Sequence, residues 1–236
     1  MSARVLGDVV ARERRSERVA LRVDATGRAY SYRDFCTTAW KAGHALSHLG
    51  VHPGSRVALA PDPAPQPLLT LFGAACLGAR VTFDTTADAR AVLVPAGAES
   101  DIESRPTRKV VVYGDTPADP GAAHWEQVVW SENPVMPPGE RGDDEVVLEG
   151  DGRALTHRTV LTAAERVGRE MGLDADAAVA IRAPLTDPRA VVAGVIAPLV
   201  AGGMVVLPAG DDVDADVTVV ADGDGDAKYH VADVSL

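Results

Sequence analysis

The residues best suited to chemistry lie in one short segment, 149–157. Gly150 and Gly152 leave the backbone accessible, and glycine-rich turns hold phosphate groups through backbone N–H donors. Arg153 is the only cation within residues 149–153. Such residue types could bind an anion such as a phosphate, although Arg153 is better explained as a solvent-facing arginine of a turn.

The same segment also contains residues that oppose phosphate binding. Glu149 and Asp151 place two carboxylates beside the glycines, and like charges about 4 Å apart repel by about 1 kcal/mol in water. Thr156 and His157 follow, just before an apolar helical pattern. Thr156 suits a helix N-cap, and His157 suits a structural place at the helix start.

Composition excludes several classes of function. The net charge is -11 and lysine is rare beside arginine, which argues against nucleic acid or an anionic membrane as partner. The two cysteines, Cys36 and Cys76, provide no disulfide framework or metal spacing. No uninterrupted apolar run reaches membrane-spanning length and no signal peptide is evident, so we expect a cytoplasmic protein. The abundance of Asp, Ala and Val favours a halophilic source, but a GC-rich genome would produce a similar bias.

Periodicity predicts an α/β fold of layered, mostly parallel sheets covered by helices. A hairpin is expected within residues 19–32 and a helical pattern within residues 1–22. No internal repeat is evident. We expect a first α/β subdomain at residues 1–142, with an irregular end rich in Pro, Gly and Asp, and a second at residues 143–236. Strands are predicted at residues 57–60, 80–83, 91–94, 109–113, 146–148, 178–181, 204–207 and 217–220, and helices at residues 33–49, 68–77, 159–171 and 187–199.

Several of these segments, in this order, resemble the acyl-adenylate-forming (AMP-binding) superfamily, which includes acyl-CoA synthetases, adenylation domains of peptide synthetases and luciferases. Most of the segments are apolar patterns with glycine at element ends, so the resemblance depends on their order across nearly the whole chain. They are Tyr-Ser-Tyr-Arg-Asp-Phe at 30–35, Gly-Val-His-Pro-Gly-Ser-Arg-Val-Ala-Leu at 50–59, Leu-Gly-Ala at 77–79, Leu-Thr-His-Arg at 155–158 and Gly-Gly-Met-Val-Val-Leu at 202–207.

The resemblance implies the fold of the N-terminal part of these enzymes and, if the family activity is retained, ATP or AMP, Mg²⁺ and CoA as ligands. It assigns Gly150, Gly152, Arg153, Thr156 and His157 to a vestigial nucleotide site. The chain departs from the family at that site, because the Ser/Thr/Gly-rich phosphate loop and its lysine are reduced to residues 149–153. The family's later segments, including the C-terminal lysine domain, are also expected to be missing.

Two other departures concern possible ligand contacts. Asp187 stands where the family usually has an aromatic residue or a histidine in the acyl pocket, so substrate contact is doubtful there. The acidic turn at 222–226 is superficially similar to a calcium loop, but it lacks the later glutamate and the flanking helices. We therefore expect no catalytic residue and no metal site.

The sequence leaves two functions open. One is a non-catalytic relative that binds a small acyl or nucleotide ligand, or accompanies a full-length acyl-CoA synthetase. The other is an active acyl-CoA or acyl-AMP ligase that a partner chain completes. A neighbouring gene encoding the missing C-terminal motifs would favour the second.

The charge balance generates the first testable prediction. Acidic self-repulsion destabilises a compact chain most in dilute buffer, where the screening length reaches about 30 Å at about 0.01 M salt. We expect the melting temperature to rise substantially between dilute buffer and molar KCl, as measured by circular dichroism. A melting temperature that does not change with salt would contradict the halophilic interpretation.

Overall fold

The computed structural model describes residues 3–210, 213–221 and 229–236. The acidic turn at 222–226, considered above as a calcium loop, lies outside these residues. Near the N-terminus the predicted helical pattern takes the form of two short 3-10 helices, Leu6–Val10 and Arg12–Arg14. The Asp8 carboxylate accepts the backbone N–H groups of Arg4 and Val5, which fixes the first of these turns.

The remaining elements follow the predicted alternation of strands and helices, with ends shifted by a few residues. The helices are α1 (Tyr32–His48), α2 (Pro65–Leu77), α3 (Trp125–Trp130), α4 (His157–Glu170), α5 (Pro188–Val191) and α6 (Ala197–Ala201), and a π-helical turn, Val192–Ile196, joins the last two. The strands are β1 (Val19–Val23), β2 (Arg28–Ser31), β3 (Arg56–Leu59), β4 (Arg80–Thr82), β5 (Ala91–Pro95), β6 (Lys109–Tyr113), β7 (Ala123–His124), β8 (Val146–Gly150), β9 (Arg153–Thr156), β10 (Ala178–Ile181), β11 (Met204–Leu207), β12 (Val217–Val220) and β13 (Tyr229–His230).

These strands form two sheets. The first has the order β7-β6-β5-β3-β4-β8-β9 and the second the order β13-β12-β10-β11-β1-β2. Pairing is parallel except at the hairpins β1–β2 and β8–β9. The predicted class, mostly parallel sheets covered by helices, is therefore confirmed.

The two sheets reveal an internal duplication that the sequence analysis missed. The order β1, β2, α1, β3, α2, β4, β5 corresponds to the order β8, β9, α4, β10, α5–α6, β11, β12. Each hairpin lies at the edge of the other copy's sheet, since β1 pairs with β11 and β8 pairs with β4. The sequence itself shows no evident repeat, because the two copies share apolar spacing and capping positions rather than residue types.

Equivalent backbone hydrogen bonds support the duplication. The first residues of α1 and α4, Tyr32 and His157, donate their backbone N–H to the carbonyls of Arg18 and Glu145, at 2.8 and 3.1 Å. The next residues donate to Ser16 and Asp143 in the same way, at 3.0 and 2.8 Å. Each hairpin is thus attached at the same point to the segment that precedes it.

The predicted division between residues 142 and 143 falls between the two copies. Each sheet nevertheless contains strands from both sides of that boundary. The division of the chain into two subdomains, 1–142 and 143–236, stays a prediction.

Helices connect the two sheets through a close contact. Helix α1 packs on β1 and β2, α2 packs on β3 and β4, and the two helices pack against each other. At their crossing, a Cβ added to Gly73 would lie 2.5 Å from the Ala39 carbonyl oxygen and 2.6 Å from the Gly43 nitrogen. Only glycine permits this approach of the two backbones.

We predict that Gly73→Ala destabilises the fold by roughly 1–3 kcal/mol, because the added methyl group must push two backbones apart. Gly168→Ala is the matched control. Gly168 lies in α4, and a Cβ there would meet no described atom outside its own helix within 4 Å. That change should be neutral or stabilise by up to about 1 kcal/mol. Urea unfolding of the two variants measures the difference, and equal stabilities would contradict the packing argument.

Candidate functional site

The predicted phosphate-loop remnant is a tight β-hairpin turn. Gly150 ends β8 and Arg153 begins β9, and the two residues pair across the hairpin. Asp151 and Gly152 form the turn with positive φ angles of 50° and 69°. This is the type I′ geometry that Asp-Gly favours in two-residue hairpins. Between the two strands there is consequently no extended loop to wrap a chain of phosphates.

Gly150 is also required by packing. A Cβ added there would lie 2.7 Å from Cγ of Pro188, at the start of α5. The β8–β9 hairpin therefore extends the sheet built around β3 and β4, but its turn contacts α5, which belongs to the second copy. This contact brings the turn next to Asp187 and Arg189.

Glu149 does not face an open site, contrary to the expectation from the sequence. Arg56 Nε donates to one of its carboxylate oxygens at 2.5 Å, and Arg80 Nη1 donates to the other at 3.1 Å. The three residues lie on the adjacent strands β3, β4 and β8, and only 14% of the Glu149 side chain is exposed. The expected pair of free carboxylates is thus wrong for Glu149, and only Asp151 remains at the turn.

A cavity of about 290 Å³ lies beside the turn. It is lined by Asp151, Arg153, Asp187 and Arg189, together with the final residues Val234, Ser235 and Leu236. The cavity follows the carboxyl end of β8, and ligands of parallel α/β folds commonly bind at that edge. Its four charged side chains are two carboxylates and two guanidinium groups, so their charges balance.

Asp187 caps the helix that points toward this cavity. Its Oδ1 accepts the backbone N–H of Arg189 at 2.9 Å, and its carboxylate forms a two-point ion pair with the Arg189 guanidinium at 2.8 to 3.2 Å. A carboxylate therefore already occupies the position at which a helix N-terminus would attract a phosphate. The doubt about substrate contact at Asp187 stays a prediction.

The structure separates Thr156 and His157 from the turn. Thr156 caps α4 by accepting the Thr159 backbone N–H at 3.2 Å. His157 is fully buried, and its Nδ1 accepts the backbone N–H of Leu6 at 3.0 Å. Burial lowers the pKa of His157, so the ring is neutral and ties the N-terminal 3-10 helix to α4. Nε2 has no hydrogen-bond partner within the described part of the chain.

The predicted site residues thus fall into two groups. Gly150, Gly152 and Arg153 share the hairpin turn, whereas Thr156 and His157 serve the start of α4. Sequence reasoning missed Arg189, whose position two residues after an N-cap aspartate was a usable signal. It also missed Arg56 and Arg80, for which no local signal existed, because they lie 93 and 69 residues from Glu149.

A family model described as "AMP-binding enzyme" matches residues 8–94. The predicted resemblance to the AMP-binding family is confirmed. The matched part runs from the N-terminal 3-10 helix to β5, and the hairpin turn lies beyond it. No curated protein matches the sequence significantly.

Several solved structures, including two CoA ligases, share the fold. The benzoate CoA ligase from Burkholderia xenovorans LB400 is 20% identical, with a TM-score of 0.76 over 91% of this chain and 50% of that one. The anthranilate CoA ligase AuaEII, in complex with anthranoyl-AMP, is 19% identical, with a TM-score of 0.75 over 88% and 45%. The N-terminal domain of FACL13 from Mycobacterium tuberculosis is 20% identical, with a TM-score of 0.73 over 88% and 58%.

At these identities the likeness establishes the fold alone. The chain spans about half the length of the full ligases that it matches. Within the described residues, every helix is too short or too polar to cross a lipid bilayer.

The geometry predicts different roles for the two carboxylates near the turn. Glu149→Ala leaves Arg56 and Arg80 without their anion, and we expect it to destabilise the fold by roughly 1–3 kcal/mol, since the two arginines are partly exposed. Asp151→Asn keeps a residue that tolerates positive φ and should change stability by less than about 0.5 kcal/mol. Denaturant unfolding of both variants tests this. A destabilising Asp151→Asn beside a neutral Glu149→Ala would reverse the assignment.

Proposed function

We propose that this chain is a non-catalytic relative of the AMP-binding acyl-CoA ligases. It acts as a binding or accessory module for a small acyl or nucleotide ligand, or for a full-length synthetase. The two-residue turn at Asp151 and Gly152 is the observation that carries the proposal. A turn of this size has no series of free N–H donors with which to hold a triphosphate.

The charges around the turn support the same conclusion. Glu149 is held by two arginines and Asp187 by Arg189. A phosphate chain entering the cavity would meet Asp151 and would have to compete with Asp187 for Arg189. Arg153 is then the cation that remains to attract it, and one guanidinium cannot offset several phosphate charges. We keep Gly150, Gly152 and Arg153 as a vestigial nucleotide site, with Thr156 and His157 in structural support of it.

The second candidate is an active acyl-CoA or acyl-AMP ligase that a partner chain completes. The assembly would use ATP, Mg²⁺ and CoA. In such an enzyme the partner would have to provide the phosphate-binding groups that the hairpin lacks. A full-length synthetase as partner fits either candidate function.

The setting that we propose is a salt-rich cytoplasm. Both cysteines are buried and unpaired, as is usual under reducing conditions. The net charge of -11 suits solubility at high salt and disfavours nucleic acid and anionic membranes as partners.

We predict that the purified chain catalyses no ATP–pyrophosphate exchange with a panel of short and long carboxylic acids. Loss of a single donor to developing charge typically costs about 10²–10³-fold in rate, and here the whole loop is missing. A full-length acyl-CoA ligase assayed in parallel is the positive control. Exchange that depends on the added acid, with this chain alone, would refute the non-catalytic proposal.

The same assay distinguishes the two candidates. Exchange that arises only when a ligase-like C-terminal partner is co-purified would favour the completed enzyme. For the chain alone we expect weak ATP binding at best, and Asp151→Asn should strengthen it by up to about fivefold, because a repulsion of about 1 kcal/mol is removed. The unchanged stability expected of this variant makes the comparison direct.

A further inference from the structure

A second cavity lies at the opposite end of the sheet that carries the hairpin turn. It measures about 360 Å³ and is bounded by the 3-10 helix Leu6–Val10, the end of α2 and residues 136–141. Helix α2 ends just before β4 begins, so this cavity is at the amino end of β4. The hairpin turn is at the carboxyl end of the parallel neighbour β8.

Arg141 lines this cavity and packs against two glycines. Its side chain crosses Gly78 and Gly139, and a Cβ added to either glycine would lie 2.7 or 2.5 Å from Arg141 atoms. Nη1 donates to the Glu140 carbonyl at 2.8 Å. Nε is buried and has no hydrogen-bond partner among the described residues. Nε lies against Gly78, where an added Cβ would be 2.7 Å from it, so it is covered by the backbone and is not open to the cavity.

Arg80 and Arg108 also have a buried Nε without a hydrogen-bond partner, but each lies close to a carboxylate. Arg80 is paired with Glu149, and Arg108 lies 4.0 Å from the carboxylate of Asp88. Within the described part of the chain, Arg141 forms no ion pair. Its positive charge is therefore available in a protein that has more acids than bases.

Two carboxylates, Asp8 and Glu140, line the cavity, but neither forms an ion pair with Arg141 in the described part of the chain. Asp8 Oδ2 is engaged by the backbone N–H groups of Arg4 and Val5, at 2.8 and 3.1 Å. Burial raises the pKa of Cys76 to about 12, so its thiol stays neutral. The Glu140 side chain also lines the cavity, but it is exposed to solvent. Arg4, a second guanidinium on the rim, forms no ion pair among the residues described.

We propose that this cavity binds a small organic anion. Its carboxylate or phosphate group is held by Arg141 and Arg4, because a guanidinium matches both oxyanions in a two-point geometry. Its apolar part lies against Val5, Ala75 and Met136, which also line the cavity. The volume is within the usual range for small-molecule sites. This site is separate from the hairpin turn and independent of the function proposed for it.

Isothermal titration of the full chain tests the proposal with hexanoate, hexyl phosphate, inorganic phosphate and 1-hexanol. Saturable binding is expected for hexanoate, hexyl phosphate or both, stronger than for inorganic phosphate and absent for 1-hexanol. The tighter of the two hexyl ligands identifies the preferred oxyanion. Absence of saturable binding by both hexyl anions would overturn the proposal.

Two substitutions test whether the anion binds in this cavity. Arg141→Gln should weaken the better hexyl anion by roughly tenfold or more, as expected for loss of a charge-assisted hydrogen bond. Arg12→Gln is the matched control, since Arg12 is an exposed arginine of the same N-terminal region outside the cavity, and it should bind like the wild type. Equal binding by Arg141→Gln and the wild type would place the ligand elsewhere and overturn the assignment.

Because Arg141 packs on two glycines, thermal unfolding of Arg141→Gln must accompany the titration. If that variant does not fold, Arg4→Gln decides, since Arg4 is exposed and its loss should spare the fold. Binding weakened severalfold in Arg4→Gln supports the proposal, and unchanged binding contradicts it.

Discussion

The exchange of hairpins between the two sheets is the constraint on which the rest of the structure depends. Strand β1 extends the sheet built around β10 and β11, with Leu21 aligned to Val205, and β8 extends the sheet built around β3 and β4. Each sheet would otherwise end in an unpaired parallel strand, whose open backbone groups invite wrong pairing. Neither copy can complete its sheet without the other, so the two copies are coupled in folding. The candidate site inherits this coupling, because its turn lies in one sheet and α5 beside it continues into the π-helical turn that packs on β10 of the other.

The sequence predicted most of the local structure because local signals determine it. Helix α1 was expected at 33–49 and observed at Tyr32–His48, since apolar spacing and a Ser31 cap define it. The sheet partners of the hairpins could not be predicted in this way. The turn residues of a hairpin indicate that its two strands pair with each other. They do not indicate which distant strand pairs with the hairpin's other edge. The duplication stayed hidden for the same reason, because equivalent positions such as Ser31 and Thr156 share a capping role rather than a residue type.

The candidate site was partly predictable for a related reason. The shortness of the segment at 149–153 was visible in the sequence, and with Asp-Gly at its centre it forms a two-residue turn. The environment of Glu149 was not visible, because its partners Arg56 and Arg80 are brought to it by the order of the strands. A carboxylate that looked free to repel phosphate is a cross-strand link in the sheet. Charge patterns read along a sequence therefore overstate local repulsion wherever parallel strands bring opposite charges together.

The two ends of the hairpin-bearing sheet differ in what a ligand would gain by binding. Near the turn, Glu149 and Asp187 are already in ion pairs, so an anion would have to break existing contacts or bind beside Asp151. At the amino end of β4, the guanidinium of Arg141 forms no ion pair within the described residues. The anion proposed to bind there would gain a charge-assisted contact without displacing an existing partner of Arg141. The proposed site at the amino end therefore requires no ion pair to be broken, although the family resemblance directs attention to the carboxyl end.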